Sequence, residues 1–180
     1  MQKANGIVNV RRFENNLLRV VKKPMSVPFN FQTSAMESPS AVEWLPNNID
    51  TVITIPSLET AEWILVNVDQ FAFYRVNYDV DNWRSLAKFW REKPQAFNVQ
   101  TRAQLIDDSL CLAKDGFLPY AVALDMIMDL KVETSFLPWS AAMKNLLQLN
   151  NLLTSTEIHH DFQVNAFNGF FHILFLRMIE

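Results

Sequence analysis

The chain is 180 residues with 49% hydrophobic and 19% charged residues, enough length to bury about 70% of its extended surface and too little charge for a disordered tail. Sixteen Lys and Arg against nineteen Asp and Glu give a net charge of −3, and no basic run exceeds two residues. That excludes the clustered cationic face a nucleic-acid binder needs.

Five of the eight prolines precede Tyr78, and the apolar residues there recur with period two, which is strand grammar. The expected strands are Ile7 to Phe13, Val27 to Thr33, Thr51 to Ile55, Trp63 to Val68 and Phe73 to Tyr78, separated by turns such as Glu37 to Ser40 and Leu45 to Asn48. An antiparallel β-sandwich follows. The last two strands form the best hairpin, with Ile64, Val66 and Val68 continued by Tyr74, Val76 and Tyr78 across a turn at Asp69 to Ala72.

After Asp79 the period becomes helical. Trp83, Leu86, Ala87 and Trp90 fall at i, i+3, i+4 and i+7, with Asp81 placed to cap and Pro94 beyond the end. A second helix, about Thr101 to Lys114, turns Leu105, Ile106, Ser109, Leu112 and Ala113 inward and stops at Gly116, which tolerates the left-handed C-terminal conformation. A third spans about Tyr120 to Lys131, and a fourth, about Pro138 to Leu153, carries a broad apolar face through Trp139, Ala142, Met143, Leu146, Leu147, Leu149, Leu152 and Leu153. A fifth runs from about Thr156 to the terminus. Its apolar stretch, Phe167 to Ile179, is shorter than the roughly 20 residues that cross a bilayer and reads as a buried helix. The reading is α+β in two parts: an N-terminal antiparallel β-sandwich domain over 1–79, complete or incomplete, and C-terminal α-helical hairpins over 80–180, α-solenoid-like and the truncated start of a helical domain.

Candidate reactive groups are sparse. His159 and His160 are adjacent, beside Glu157 and Asp161, but helical neighbours diverge by about 100°; Gln163 and Val164 stand where an i+4 ligand would be needed. His172, amid Phe170, Phe171 and Leu174, reads as a core residue. Asp107 and Asp108 cannot face one substrate atom from consecutive helical positions; one is expected in solvent and the other paired with Arg75 or Arg102. Cys111 is flanked by Leu110 and Leu112, an apolar setting that raises a thiol pKa, and Ser109 lacks a His on its helix. Trp63, Phe71, Phe73, Tyr74, Tyr78, Trp83 and Trp90 offer either a ligand box or, preferably, the layer where strands meet helices. Catalytic, cofactor-binding and metal residues are therefore all read as none. The N-terminal residues hold no signal-peptide core, no transmembrane segment is apparent, and the compartment stays open.

The residues from Trp63 to Asp79, followed by Asn82-Trp83, resemble the segment of the aminopeptidase N family of zinc aminopeptidases where its β-sandwich passes into its C-terminal helical domain. Thr101 to Ala113 resembles the first long helix of that domain, and Leu137 to Ala142 a later helix start; Trp44-Leu-Pro46 and Arg12-Phe13 fit the sandwich. The family's zinc motif, His-Glu-x-x-His with a downstream Glu, and its Gly-x-Met-x-Asn segment do not occur here. The resemblance implies a non-catalytic portion, truncated at both ends, of an enzyme that removes N-terminal amino acids from peptides. It holds no cofactor itself and shapes access to a zinc site elsewhere. The alternative is a free-standing protein- or peptide-interaction module, a pseudo-enzyme, and exposed apolar faces would allow self-association. Family members usually carry Gly-Tyr where this chain has Ala72-Phe73; Ala in a left-handed turn costs on the order of 1 kcal/mol.

Overall fold

The computed structural model describes residues 2–4, 7–11, 26–45 and 50–164. The chain divides into two compact units, Met1–Glu92 and Lys93–Glu180.

Among the described residues the first unit has seven short strands: β1 (Gln2–Ala4), β2 (Ile7–Arg11), β3 (Val27–Phe29), β4 (Phe31–Thr33), β5 (Glu43–Leu45), β6 (Asp50–Thr54) and β7 (Ile64–Val66). They form three antiparallel groups, β1-β2-β6, β3-β5 and β4-β7. Phe29, Phe31, Ile55, Leu58, Trp63, Ile64, Leu65 and Val66 are buried. Of the expected first strand, Arg12 and Phe13 lie outside the described residues.

The expected strand Val27 to Thr33 is two strands, because the chain changes partner at Asn30. Residues before it pair with β5 and those after it with β7. The Asn30 carboxamide oxygen accepts from the Val68 amide at 2.8 Å, and its carbonyl accepts from Asn67 at 3.0 Å. Both bonds hold the switch point against the chain leaving β7.

The hairpin expected between Trp63–Val68 and Phe73–Tyr78 does not form. β7 pairs with β4, with Gln32 opposite Leu65, and residues 73–78 run without strand pairing. Their side chains nevertheless alternate as expected. Val76 and Tyr78 are buried, Tyr74 is half-buried, and Phe73 and Arg75 are exposed.

Helix α1 (Val80–Glu92) closes the first unit, and its stripe of Trp83, Leu86, Ala87 and Trp90 is buried as its spacing predicts. Its cap is Asp79, whose carboxylate accepts from the Asn82 amide at 2.8 Å; Asp81 lies in the first turn, exposed, 3.5 Å from Arg84. The change from extended chain to helix does fall near Asp79. The compact unit runs on to Glu92 because α1 packs on β7 and its aromatics join the strand core. Trp63 lies 4.8 Å from Phe89 between ring centroids, and Tyr78 meets Trp83 edge-on at 5.0 Å.

The second unit holds α2 (Val99–Lys114), α3 (Tyr120–Ile127), α4 (Phe136–Leu153) and α5 (His159–Phe162). Asn98 caps α2, accepting from the Thr101 amide at 2.8 Å, and Gly116 at φ +79° follows its end. α2 packs against both α3 and α4, so it is buried well beyond one stripe. α3 ends earlier than expected and tightens into a 3₁₀ turn over Met128–Val132. α4 buries Trp139, Ala142, Asn145 and Leu146, whereas Leu147 and Leu152, expected on its apolar face, are exposed. Where a helix from about Thr156 onward is expected, the described residues hold α5 over His159–Phe162; Phe167 to Ile179, with His172, lies outside the described residues.

Candidate functional site

Two polar joints stand out, one in each unit. The first closes the outer edge of β7. Along a strand, successive residues direct their backbone groups to opposite edges. Leu65 faces β4, as do the Trp63 carbonyl, which accepts from Ser34, and the Asn67 amide, which donates to Asn30. Ile64 and Val66 face the other way, where no strand pairs among the described residues. Side chains take that place. The Ile64 amide donates to Asn82 Oδ1 at 2.9 Å, and Asn82 Nδ2 donates to the Ile64 carbonyl at 2.8 Å. The Val66 amide donates to the Tyr78 hydroxyl at 2.9 Å, and that hydroxyl lies 3.4 Å from the Val66 carbonyl as its donor. An open edge that would otherwise recruit a strand is satisfied by residues at the start of α1 and just before it.

A turn leaves β7 directly after this edge. Asn67, Asp69 and Gln70 have φ of 60°, 64° and 53°, so the left-handed positions fall on these residues and not on Ala72. Asn tolerates this conformation better than most residues. Asn67 is fully buried, and its carboxamide accepts from the Ala72 amide at 2.8 Å and donates to the carbonyls of Ala72 and Tyr74 at 2.9 and 3.3 Å. Burial pushes the Tyr74 hydroxyl up to about 12. Phe71 and Phe73 project outward from the same turn, so two members of the proposed aromatic layer lie outside it.

The second joint ties the start of α2 to the link between α3 and α4. Arg102 Nε donates to Glu133 Oε2 at 2.6 Å and Nη2 to Oε1 at 3.1 Å, with both side chains buried. The same guanidinium donates to the Phe97 carbonyl and to Ser135 Oγ. Glu133 also accepts from the amides of Thr134 and Ser135 at 2.9 and 2.8 Å. Burial opposes its ionisation, but the Arg102 hydrogen bond, the Ser135 amide, the Arg102 charge and the Thr134 amide together hold its carboxyl below the ordinary value. Arg102 thus pairs with Glu133 and not with the Asp107-Asp108 pair.

The other residues singled out in the sequence occupy internal bonds. Asp107 accepts from Asn145 Nδ2 at 2.8 Å, with Lys144 at 3.9 Å, while Asp108 is buried. Cys111 Sγ lies 3.2 Å from Asn145 Oδ1, and Ser109 Oγ donates to the Ile106 carbonyl at 3.0 Å. His159 Nε2 meets Asn150 Oδ1 at 3.0 Å, and His160, exposed, lies 3.7 Å from Asp161. Among the described residues no three His, Cys, Asp or Glu side chains group to hold a metal ion, and no helix is long and apolar enough to cross a membrane. The described residues therefore offer no ligand set that fits a zinc ion. The spacing of the sequence does not reveal the roles of Asn82 and Glu133, whose partners lie 18 and 31 residues away, or of Asn67, which bonds residues 5 and 7 positions on through a turn without a glycine.

The described residues form a strand unit and a helical unit, each with a buried polar joint. The pattern of the ERAP1-like C-terminal domain matches residues 63–179. Aminopeptidase N of Plutella xylostella is 35% identical over 161 residues, covering 87% of this chain and 17% of that protein. Thyrotropin-releasing hormone-degrading ectoenzyme of Mus musculus is 38% identical over 125 residues, 69% of this chain and 12% of its own length. Aminopeptidase A of Gloydius brevicauda is 40% identical over 93 residues, 52% and 10% respectively. The chain belongs to the aminopeptidase N family, in the region described as the ERAP1-like C-terminal domain. It spans less than a fifth of the length of these relatives.

Proposed function

We propose that this chain is a non-catalytic C-terminal portion of a zinc metalloaminopeptidase-like protein, whose whole removes N-terminal amino acids from peptides. Its strands are the end of a β-sandwich domain and its helices the opening hairpins of a solenoid that shapes access to a zinc site outside these 180 residues. The observation that carries the reading is the pair of joints. Asn82 and Tyr78 fasten the helix start to β7, and Arg102 with Glu133 fastens the helices to one another. Side chains spent in this way fix geometry, and among the described residues no three His, Cys, Asp or Glu side chains group to hold a metal ion. A scaffold is what they can build.

The test is a chimera in which this chain replaces the matching residues of the Plutella xylostella aminopeptidase N. It should hydrolyse a short aminoacyl chromogenic substrate while its rates across peptides of increasing length change from those of the parent. An unaltered length profile, or loss of activity on the short substrate, contradicts the reading.

A second reading, an interaction module without catalysis, draws on the exposed Phe73 and Phe136. The same chain purified alone as a monodisperse monomer would favour it.

A further inference from the structure

Helix α5 turns back along α4. The chain reverses over residues 154–158, where the Thr156 amide donates to the Leu153 carbonyl at 2.8 Å and the His159 amide to the Thr156 carbonyl at 3.2 Å. His159 then returns to Asn150, one turn before the end of α4, with Nε2 3.0 Å from Asn150 Oδ1. Within α5, His159 and Phe162 are half-buried while His160 and Asp161 are exposed, so the first two mark the side turned to α4.

The flank of α4 that lies ahead on this course is apolar and open. Asn150, Leu147, Met143 and Phe136 fall at i, i−3, i−7 and i−14, which places them on one face. Leu147 is 48% and Phe136 81% exposed, and Met143 is half-buried. From Asn150 to Phe136 the helix rises about 21 Å, and a helix that starts at His159 covers the same rise by about residue 173.

Residues 165–180 lie outside the described residues, and their sequence is rich in apolar side chains from Ala166 to Ile179. In the register set by His159 and Phe162, the positions turned to α4 are Ala166, Phe170 and Ile173, at i+4, i+8 and i+11 from Phe162. All three are apolar, and Ile173 falls level with Phe136. This occupant is brought to the flank by the chain itself and matches it in length and polarity.

We propose that the Leu147–Met143–Phe136 flank of α4 seats the segment from Ala166 to Ile173, which continues α5 antiparallel to α4 and sets Ile173 against Phe136. The proposal stands apart from the scaffold reading, because it concerns packing within the second unit alone.

A double-mutant cycle on Phe136→Ala and Ile173→Ala tests the contact in the full 180-residue chain. Phe136→Ala with Phe171→Ala is the control pair, because residues 171 and 173 point to opposite sides of a helix. In denaturant unfolding Phe136→Ala should destabilise, and the double variant should lose about tenfold less in unfolding equilibrium than the two single changes predict. The control pair should be additive. Additivity of both pairs, or no loss from Phe136→Ala, would overturn the proposal. A midpoint that rises with protein concentration in the wild type and not in Phe136→Ala would assign the flank to a second copy and overturn it as well. Where Ile173→Ala does not fold, hydrogen exchange in the wild-type monomer decides. Slow exchange at the amides of 170–173 supports the seat, and exchange at the rate of an unstructured chain overturns it.

Discussion

The Asn82 carboxamide bonds both backbone polar groups of Ile64, accepting from its amide at 2.9 Å and donating to its carbonyl at 2.8 Å. One side chain therefore does for Ile64 what a neighbouring strand would do. Asn82→Leu leaves two buried backbone groups unpaired, each costing about 1–3 kcal/mol. Denaturant unfolding should show a loss of about 3 kcal/mol. Asn82→Asp should also destabilise, because an ionised carboxylate cannot donate to the Ile64 carbonyl. Unchanged midpoints for both would remove Asn82 from the edge.

This joint shows what the sequence does and does not disclose. The alternation of Tyr74, Val76 and Tyr78 correctly reports which side chains turn inward. It suggests a paired strand because period two measures burial, and an extended segment without a ladder has the same period. The pairing is decided by Asn82 and Tyr78, which already occupy the outer edge of β7. The α1 stripe and the Gly116 stop were legible because both are local: spacing within one helix, and a residue free of Cβ where the chain turns left-handed. The Arg102–Glu133 bond was not, since 31 residues separate the partners and either Asp107 or Asp108 was an equally reasonable acceptor on charge alone. The α1 cap falls two residues before the position that the sequence suggests, for a related reason. Asp79 and Asp81 are chemically alike, and only the end of the extended segment selects between them.

Breaking the Arg102–Glu133 pair strands a buried charge, so Arg102→Ala should cost about 3–5 kcal/mol. The pH dependence follows from the depressed carboxyl of Glu133. The stabilisation is present above the ordinary carboxylate range and is lost as pH falls through the lowered folded value, because the unfolded state takes up its proton first. Acid titration of wild type and Glu133→Gln should therefore differ in slope only on the acidic side. Parallel curves would contradict the pair's role.

Tyr74 behaves in the opposite direction. Its hydroxyl has no hydrogen-bond partner among the described residues, and burial raises it from 10.0 to about 12. Between these values the unfolded chain loses the proton while the folded chain keeps it, so stability should fall as pH rises from 10 to 12. Tyr74→Phe should flatten that decline and cost little at neutral pH, which alkaline unfolding curves would reveal. A large neutral-pH loss would mean that the hydroxyl has a bonding role.

Gly116 sits at φ +79°, and a Cβ added there meets no atom within 4 Å. Gly116→Ala should thus carry only the backbone cost, about 1 kcal/mol. A loss several times larger would point to a steric role that the structure does not contain.

The central claim is that these residues hold a shape for a metal centre located elsewhere. Zinc titration of the purified 180-residue chain, followed by assay on an aminoacyl chromogenic substrate, tests it most directly. The account predicts no stoichiometric zinc uptake and no turnover. One equivalent of tightly held zinc with turnover that survives purification and vanishes on chelation would contradict it.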